Sequence, residues 1–144
     1  MDPSVTIKSK AGNAAIVFSN AVRDTDGRCH CDVSISGHYN GVARLSFHPG
    51  ESCLVTFLRS AISDPPAYRT DRHFEARESG VGFGIGKQDD DGHIALTAHM
   101  SAREEFSGVP SLYWRVEGTL VVHPDQVRRL ADDLAGLFCY ETSS

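Results

Sequence analysis

Val81-Gly82-Phe83-Gly84-Ile85-Gly86-Lys87, then Gln88-Asp89-Asp90-Asp91-Gly92, then His93-Ile94-Ala95-Leu96-Thr97-Ala98-His99-Met100-Ser101: this stretch decides the fold. Val81, Phe83 and Ile85 alternate with glycines, and Ile94, Leu96, Ala98 and Met100 alternate with mostly polar residues. An apolar period of two marks half-buried antiparallel strands. The polar run between them predicts the hairpin loop. Downstream, past a loop through Gly108 and Pro110, Leu112, Trp114, Val116, Leu120 and Val122 alternate again. His123-Pro124 ends the pattern. Val127, Leu130, Ala131, Leu134 and Phe138 then recur at helical spacing, with Asp125 in the first turn.

Upstream, the same logic predicts short strands around Val5 and Ile7, from Ala14 to Phe18, from Cys31 to Ile35 and from Ala43 to Phe47. Asp24-Thr25-Asp26-Gly27 reads as a turn, and Gly37 to Gly41 as a hairpin connection. His48-Pro49 closes the fourth run as His123-Pro124 closes the later one. A helix is expected from that proline, with Glu51 in its first turn and a stripe of Leu54, Phe57, Leu58, Ala61 and Ile62. Asp64-Pro65-Pro66 stops it. The order strands, His-Pro, helix thus occurs twice.

The predicted architecture is α+β: a single domain, 1–144, with a mainly antiparallel β-sheet and two α-helices packed on one face. A hairpin loop over 88–91 places Ile85 opposite Ile94, Phe83 opposite Leu96 and Val81 opposite Ala98. Setting Ala98 against Trp114 and Leu96 against Val116 continues one apolar face, with Trp114 at its centre. The other face then carries Gly82, Gly84, Gly86, His93, Thr97, His99, Tyr113, Arg115, Glu117 and Thr119. It is either solvated, covered by the N-terminal strands, or a contact surface. Strand glycines often mark close approach of another backbone.

The chain has 144 residues and a formal net charge of −5, with 40% hydrophobic and 23% charged residues. That is the composition of a globular protein. It lacks the basic stripe expected of a nucleic-acid binder. The start, Met1-Asp2-Pro3-Ser4-Val5, does not have the pattern of a signal peptide. No run approaches the ~18 apolar residues of a membrane helix. A soluble cytoplasmic protein is expected, with no membrane partner. In that compartment Cys29, Cys31, Cys53 and Cys139 are expected as free thiols.

No motif commits the chain to a reaction. Cys29-His30-Cys31 with His38 is the most metal-like cluster, but the second ligand pair of a zinc site is missing. Gly80 to Lys87 lacks the helix and the hydroxyl residue of a phosphate loop. The aspartates at 89–91 lack the ligand spacing of a calcium loop. No Ser-His-Asp set can be assigned from sequence, and Ser52-Cys53 has no nominated base. The expectation is therefore no cofactor, no metal and no catalytic residue.

His73-Phe74-Glu75, Asp91-Gly92-His93-Ile94-Ala95-Leu96, Trp114 and the helix from Gln126 to Phe138 resemble a family of short bacterial α+β domains. Those domains are similar in size and layout to immunity proteins encoded beside polymorphic toxins. The resemblance covers Asp71 to Phe138 and implies a bacterial protein that neutralises a cognate toxin by direct binding. It assigns no functional residue. The expected partner is a protein, such as a basic toxin domain. From the residues themselves, the candidate contact set is His99, Tyr113, Arg115 and Glu117, with Asp89, Asp90 and Asp91 at the hairpin tip. Tyrosine and arginine make good anchors, and an acidic tip steers a basic partner. The alternative is a small-ligand binder or enzyme using a cleft by the Gly-rich strand 80–87, which clustered acid and base side chains in a pocket would favour. An oligomerising role, as a homodimer, is the weaker third reading.

Overall fold

A computed structural model describes residues 3–37, 40–47, 53–63, 72–76, 80–87, 92–106 and 109–138; side chains are described for these except at 87, 102–106 and 109–114. The elements are β1 Ser4–Lys8, β2 Ala15–Arg23, β3 Cys29–Ser36, β4 Gly41–Phe47, α1 Leu54–Ala61, β5 Arg72–Ala76, β6 Val81–Lys87, β7 Ile94–Phe106, β8 Val109–Val122 and α2 Pro124–Leu137. The fold is α+β, built from two antiparallel four-stranded sheets and two helices.

The strands divide by chain order into sheet A, β1-β2-β3-β4, and sheet B, β5-β6-β7-β8. The alternation predicts one sheet; the structure forms two because both halves carry an apolar face. Phe18 of sheet A stacks on Phe83 of sheet B at 5.8 Å. Gly41 sits so close to sheet B that a Cβ there would lie 3.1 Å from both Met100 Sδ and Val116 Cγ1. The sheets face one another, and both helices place their stripes in the same core: Leu54, Val55, Leu58 and Ala61 from α1, and Val127, Leu130, Ala131, Leu134 and Ala135 from α2. Rings at 57, 74, 83 and 18 run in sequence from α1 through β5 and β6 to β2, with successive centroids 5.9, 6.4 and 5.8 Å apart. Burying one such side chain contributes about 1.5–3 kcal/mol.

Several expectations are corrected. In the β6–β7 hairpin, Ile85 pairs with Leu96, Phe83 with Ala98 and Val81 with Met100. In the β7–β8 hairpin, Ala98 pairs with Gly118, Leu96 with Leu120, Met100 with Val116 and Ala102 with Trp114. Alternation fixes which face a residue takes, whereas loop length fixes register, so even-numbered slips keep every side chain on its expected face. The strands run on to Phe106 and Val109, which pair, and this absorbs Pro110 into β8 beside an irregularity at Glu104/Glu105. Trp114 therefore leaves the sheet centre. It lies beyond Met100, the residue that pairs with Val81 of β6, and its side chain is outside those described.

Helix α1 begins at Leu54 with Cys53 as N-cap, and its first turn has no acidic residue. Pro49, the expected start, and Glu51 lie outside the described residues. Strand β2 continues to Arg23, past a bulge between Ser19 and Val22 where Asn20 has φ 53. Strand β5 is an addition, carried by an alternating run of only five residues.

Helix α2 starts where expected, and its cap explains His123. The Asp125 N–H donates to His123 Nδ1 at 3.2 Å, and the His123 N–H donates to Gln126 Oε1 at 2.9 Å. This is a capping box with imidazole in place of hydroxyl. Gln126 Nε2 also donates to Lys8 O at 3.0 Å, fixing the helix start to β1.

Candidate functional site

Among the described residues, nothing covers the outer face of sheet B. Sheet A lies against the inner face, and Arg115, Glu117 and Thr119 are exposed. Cross-strand register organises this face into rungs. One rung runs Glu75–Gly82–His99–Glu117, and the next runs His73–Gly84–Thr97–Thr119. Each rung has glycine from β6 in second place, so the neighbours can lean over it.

They do. His99 Nε2 lies 2.8 Å from Glu75 Oε1. A Cβ at Gly82 would fall 2.3 Å from His99 Nε2 and 2.6 Å from Glu75 Oε2. At Gly84 a Cβ would meet His73 Nδ1 at 3.3 Å. The glycines thus make room for side chains of the chain's own neighbouring strands, and the space over Gly82 is already filled. This corrects the expectation that a partner backbone would fill it. Beside the rungs, Arg115 Nη2 donates to Glu117 Oε1 at 3.3 Å, and the hydroxyls of Thr97 and Thr119 are 2.8 Å apart.

His73, Glu75, Gly84, Ile85, Gly86, Ala95, Thr97, His99, Arg115 and Glu117 line one depression of about 490 Å³. Of the candidate contact residues, the structure brings His99, Arg115 and Glu117 together there. Tyr113 pairs with Arg103 two residues further along β8, and its side chain is outside those described. Asp89, Asp90 and Asp91 lie outside the described residues. His73 and Glu75 were missed. Their signal was the alternation of His73 and Glu75 with Phe74 and Ala76 in a run of five.

The chemistry of the pair follows from burial. His99 is 9% exposed, whereas the Glu75 side chain is 52% exposed. A carboxylate accepts only, so His99 donates through Nε2. Its Nδ1 is buried with no hydrogen-bond partner among the described residues. A bare lone pair there costs less than an unpaired N–H, so the Nε2–H tautomer suits the site. Nδ1 is withdrawn from solvent and Nε2 is engaged by Glu75. What the pair presents outward is the carboxylate of Glu75, aimed by the ring behind it.

Elsewhere, Cys29 and Cys31 point into the core and His30 points outward, as their spacing requires. Cys29, Cys31 and Cys53 are buried and form no disulfide, and Cys139 lies outside the described residues. Burial, followed by the charge of Asp32, pushes the Cys31 thiol up to about 12. Among the described residues, no three His, Cys, Asp or Glu side chains are placed to hold a metal ion. No helix among them is long and apolar enough to cross a membrane.

No protein-family model matches the chain, and a search of characterised proteins finds no match.

Proposed function

We propose that the chain is a protein-binding module that engages its partner through the outer face of sheet B. The observation that carries this reading is the open rung Glu75–Gly82–His99–Glu117, where one carboxylate is aimed by a buried imidazole and the other is paired with Arg115. Pre-positioned charges lower the ordering cost of binding. The Arg115, Glu117 and Glu75 side chains are 43%, 51% and 52% exposed, so they can reach a partner without unfolding. With a net charge of −5, the chain favours a basic partner. In its most concrete form the proposal is a bacterial, cytoplasmic immunity protein that neutralises a cognate toxin by binding it. The pattern resemblance of Asp71 to Phe138 to bacterial immunity proteins is what suggests that form. Tyr113 and the aspartates at 89–91 complete the proposed contact set.

The test is affinity capture from a bacterial host, followed by titration of the captured protein against variants. Arg115→Ala and Glu117→Lys should each weaken binding about tenfold or more without shifting the unfolding midpoint. Arg44→Ala, on the opposite sheet, should bind as the parent does. A partner that tolerates both sheet B changes overturns the reading.

The gathering of Glu75, His99, Arg115 and Glu117 in one depression favours a second reading, a small polar ligand. Ligand sites usually enclose most of the ligand between apolar walls. Here the charged walls are half-exposed, which supports the protein partner better. A shift in unfolding temperature with a small polar metabolite, lost in Glu75→Gln, would reverse that preference.

A further inference from the structure

The outer face of sheet A carries a different constellation, on the other side of the molecule. His30 of β3 pairs in register with Val22 of β2 and Ser46 of β4. Its Nδ1 is 2.8 Å from Ser46 Oγ, and its Nε2 is 2.7 Å from Asp24 Oδ2. The directions of both bonds follow from chemistry. Ionised Asp24 only accepts, so Nε2 carries the hydrogen and donates to it. Nδ1 is then a lone pair, and the Ser46 hydroxyl donates to it. A serine donating to an imidazole that a carboxylate orients is the arrangement of an activated nucleophile, recognised by geometry and not by chain order. The two ring nitrogens are exchanged relative to the usual triad, which leaves the proton path unchanged.

The surroundings hold this array in place. Asp24 belongs to a tight turn: its N–H donates to Arg28 O at 2.8 Å, and the Gly27 N–H donates to Asp24 O at 3.0 Å. The His30 side chain is 18% exposed and that of Asp24 48% exposed, so the ring is clamped while the array stays reachable. The bulge in β2 sets Val22 opposite His30 and leaves it 50% exposed, an apolar surface beside the imidazole. Bulges re-aim side chains in this way. Arg44, two residues from Ser46 on the same face of β4, is held by Asp32 at 2.9 Å.

We propose that Ser46 is a nucleophile that accepts acyl groups from small activated esters, with His30 as its general base and Asp24 as a positioning residue. Ser46 Oγ attacks the ester carbonyl carbon as its proton passes to His30 Nδ1, and the carbonyl electron pair moves onto oxygen. When that pair returns, the bond to the alkoxide breaks, and the alkoxide takes the proton from Nδ1. Water repeats the two steps, releasing the acid and restoring Ser46. The open sheet face limits the donors to small esters, with Val22 as the apolar contact for the acyl chain. This site is independent of the binding reading for sheet B.

The intact protein is treated with diisopropyl fluorophosphate, and separately with p-nitrophenyl acetate. One phosphoryl group should be added, with loss of fluoride, and should map to Ser46. Ser46→Ala should remove both the adduct and the burst of p-nitrophenol. His30→Gln should slow labelling by about 100-fold. Asp24→Asn, in an exposed turn, should slow it at least about tenfold at an unchanged unfolding midpoint, and Asp24→Glu should recover part of the rate. Should His30→Gln fail to fold, the Asp24 pair decides. No adduct at Ser46, or labelling that Asp24→Asn leaves unchanged, overturns the proposal.

Discussion

The imidazole of His99 occupies the volume that a side chain at position 82 would need, since a Cβ on Gly82 would lie 2.3 Å from Nε2. Gly82→Ala must therefore displace His99, Glu75 or both. The expected cost is about 1–3 kcal/mol, the usual penalty of overpacking. In a His99→Ala background the clash with the ring is gone and the exposed Glu75 side chain, no longer held by Nε2, is free to turn away, so the same change should cost much less. Urea titrations of the four proteins in that cycle measure it. Additive effects would show that the ring does not sit over Gly82.

Capping by His123 is the second expectation. His123→Ala removes the acceptor for the Asp125 N–H and should lower stability by about 0.5–2 kcal/mol, whereas His123→Asn should keep most of it. Chemical denaturation distinguishes the two. Equal losses would mean that the imidazole acts by packing.

Asp32 gives a pH signature. Hydrogen bonds from Asn20, at 2.7 Å, and then from Arg44, at 2.9 Å, hold its carboxyl below the ordinary value of 3.8. A carboxylate depressed in the folded state adds stability that is complete well above its unfolded value. That stability drains away as pH falls below about 4 and through the lower folded value. Asp32→Asn should therefore be less stable than the parent at pH 7, and the gap should close as pH is taken down to about 2.5. The group is near the surface, so the gap is small. A gap that widens in acid contradicts the assignment.

The buried thiols make a fourth test. Cys31, at about 12, and its buried neighbours Cys29 and Cys53 should resist a thiol reagent at pH 8 in the folded protein and react once it is denatured. Rapid reaction at Cys31 in native buffer would mean that the core opens there.

Face assignment was legible in the sequence, and register was not. Alternation alone put Phe83, Leu96 and Ala98 inside and Thr97, Arg115 and Glu117 outside. The partners of Ala98 depend on how far β7 and β8 run, and nothing in Ser107-Gly108-Val109-Pro110 announces that both strands continue to it. The same limit hid the two candidate sites. Glu75 and His99 meet because β5 and β7 flank one glycine, and Asp24, His30 and Ser46 meet through a bulge and a register. Each set joins residues from separate strands, so no local spacing records it. The doubled order of strands then helix was legible, and the structure gives it substance: each half is four consecutive antiparallel strands followed by a helix.

That consecutive order has a consequence for synthesis. All four strands of sheet A are synthesised before the first residue of sheet B is made. Through that interval Phe18, Val33 and Leu45 have no Phe83, Leu96 or Leu120 to lie against, and α2, which locks onto β1 through Gln126, is the last described element to emerge. Until its other half is made, the N-terminal half thus has nothing of sheet B to cover its greasy side, the kind of exposed apolar surface that makes chaperones necessary during synthesis.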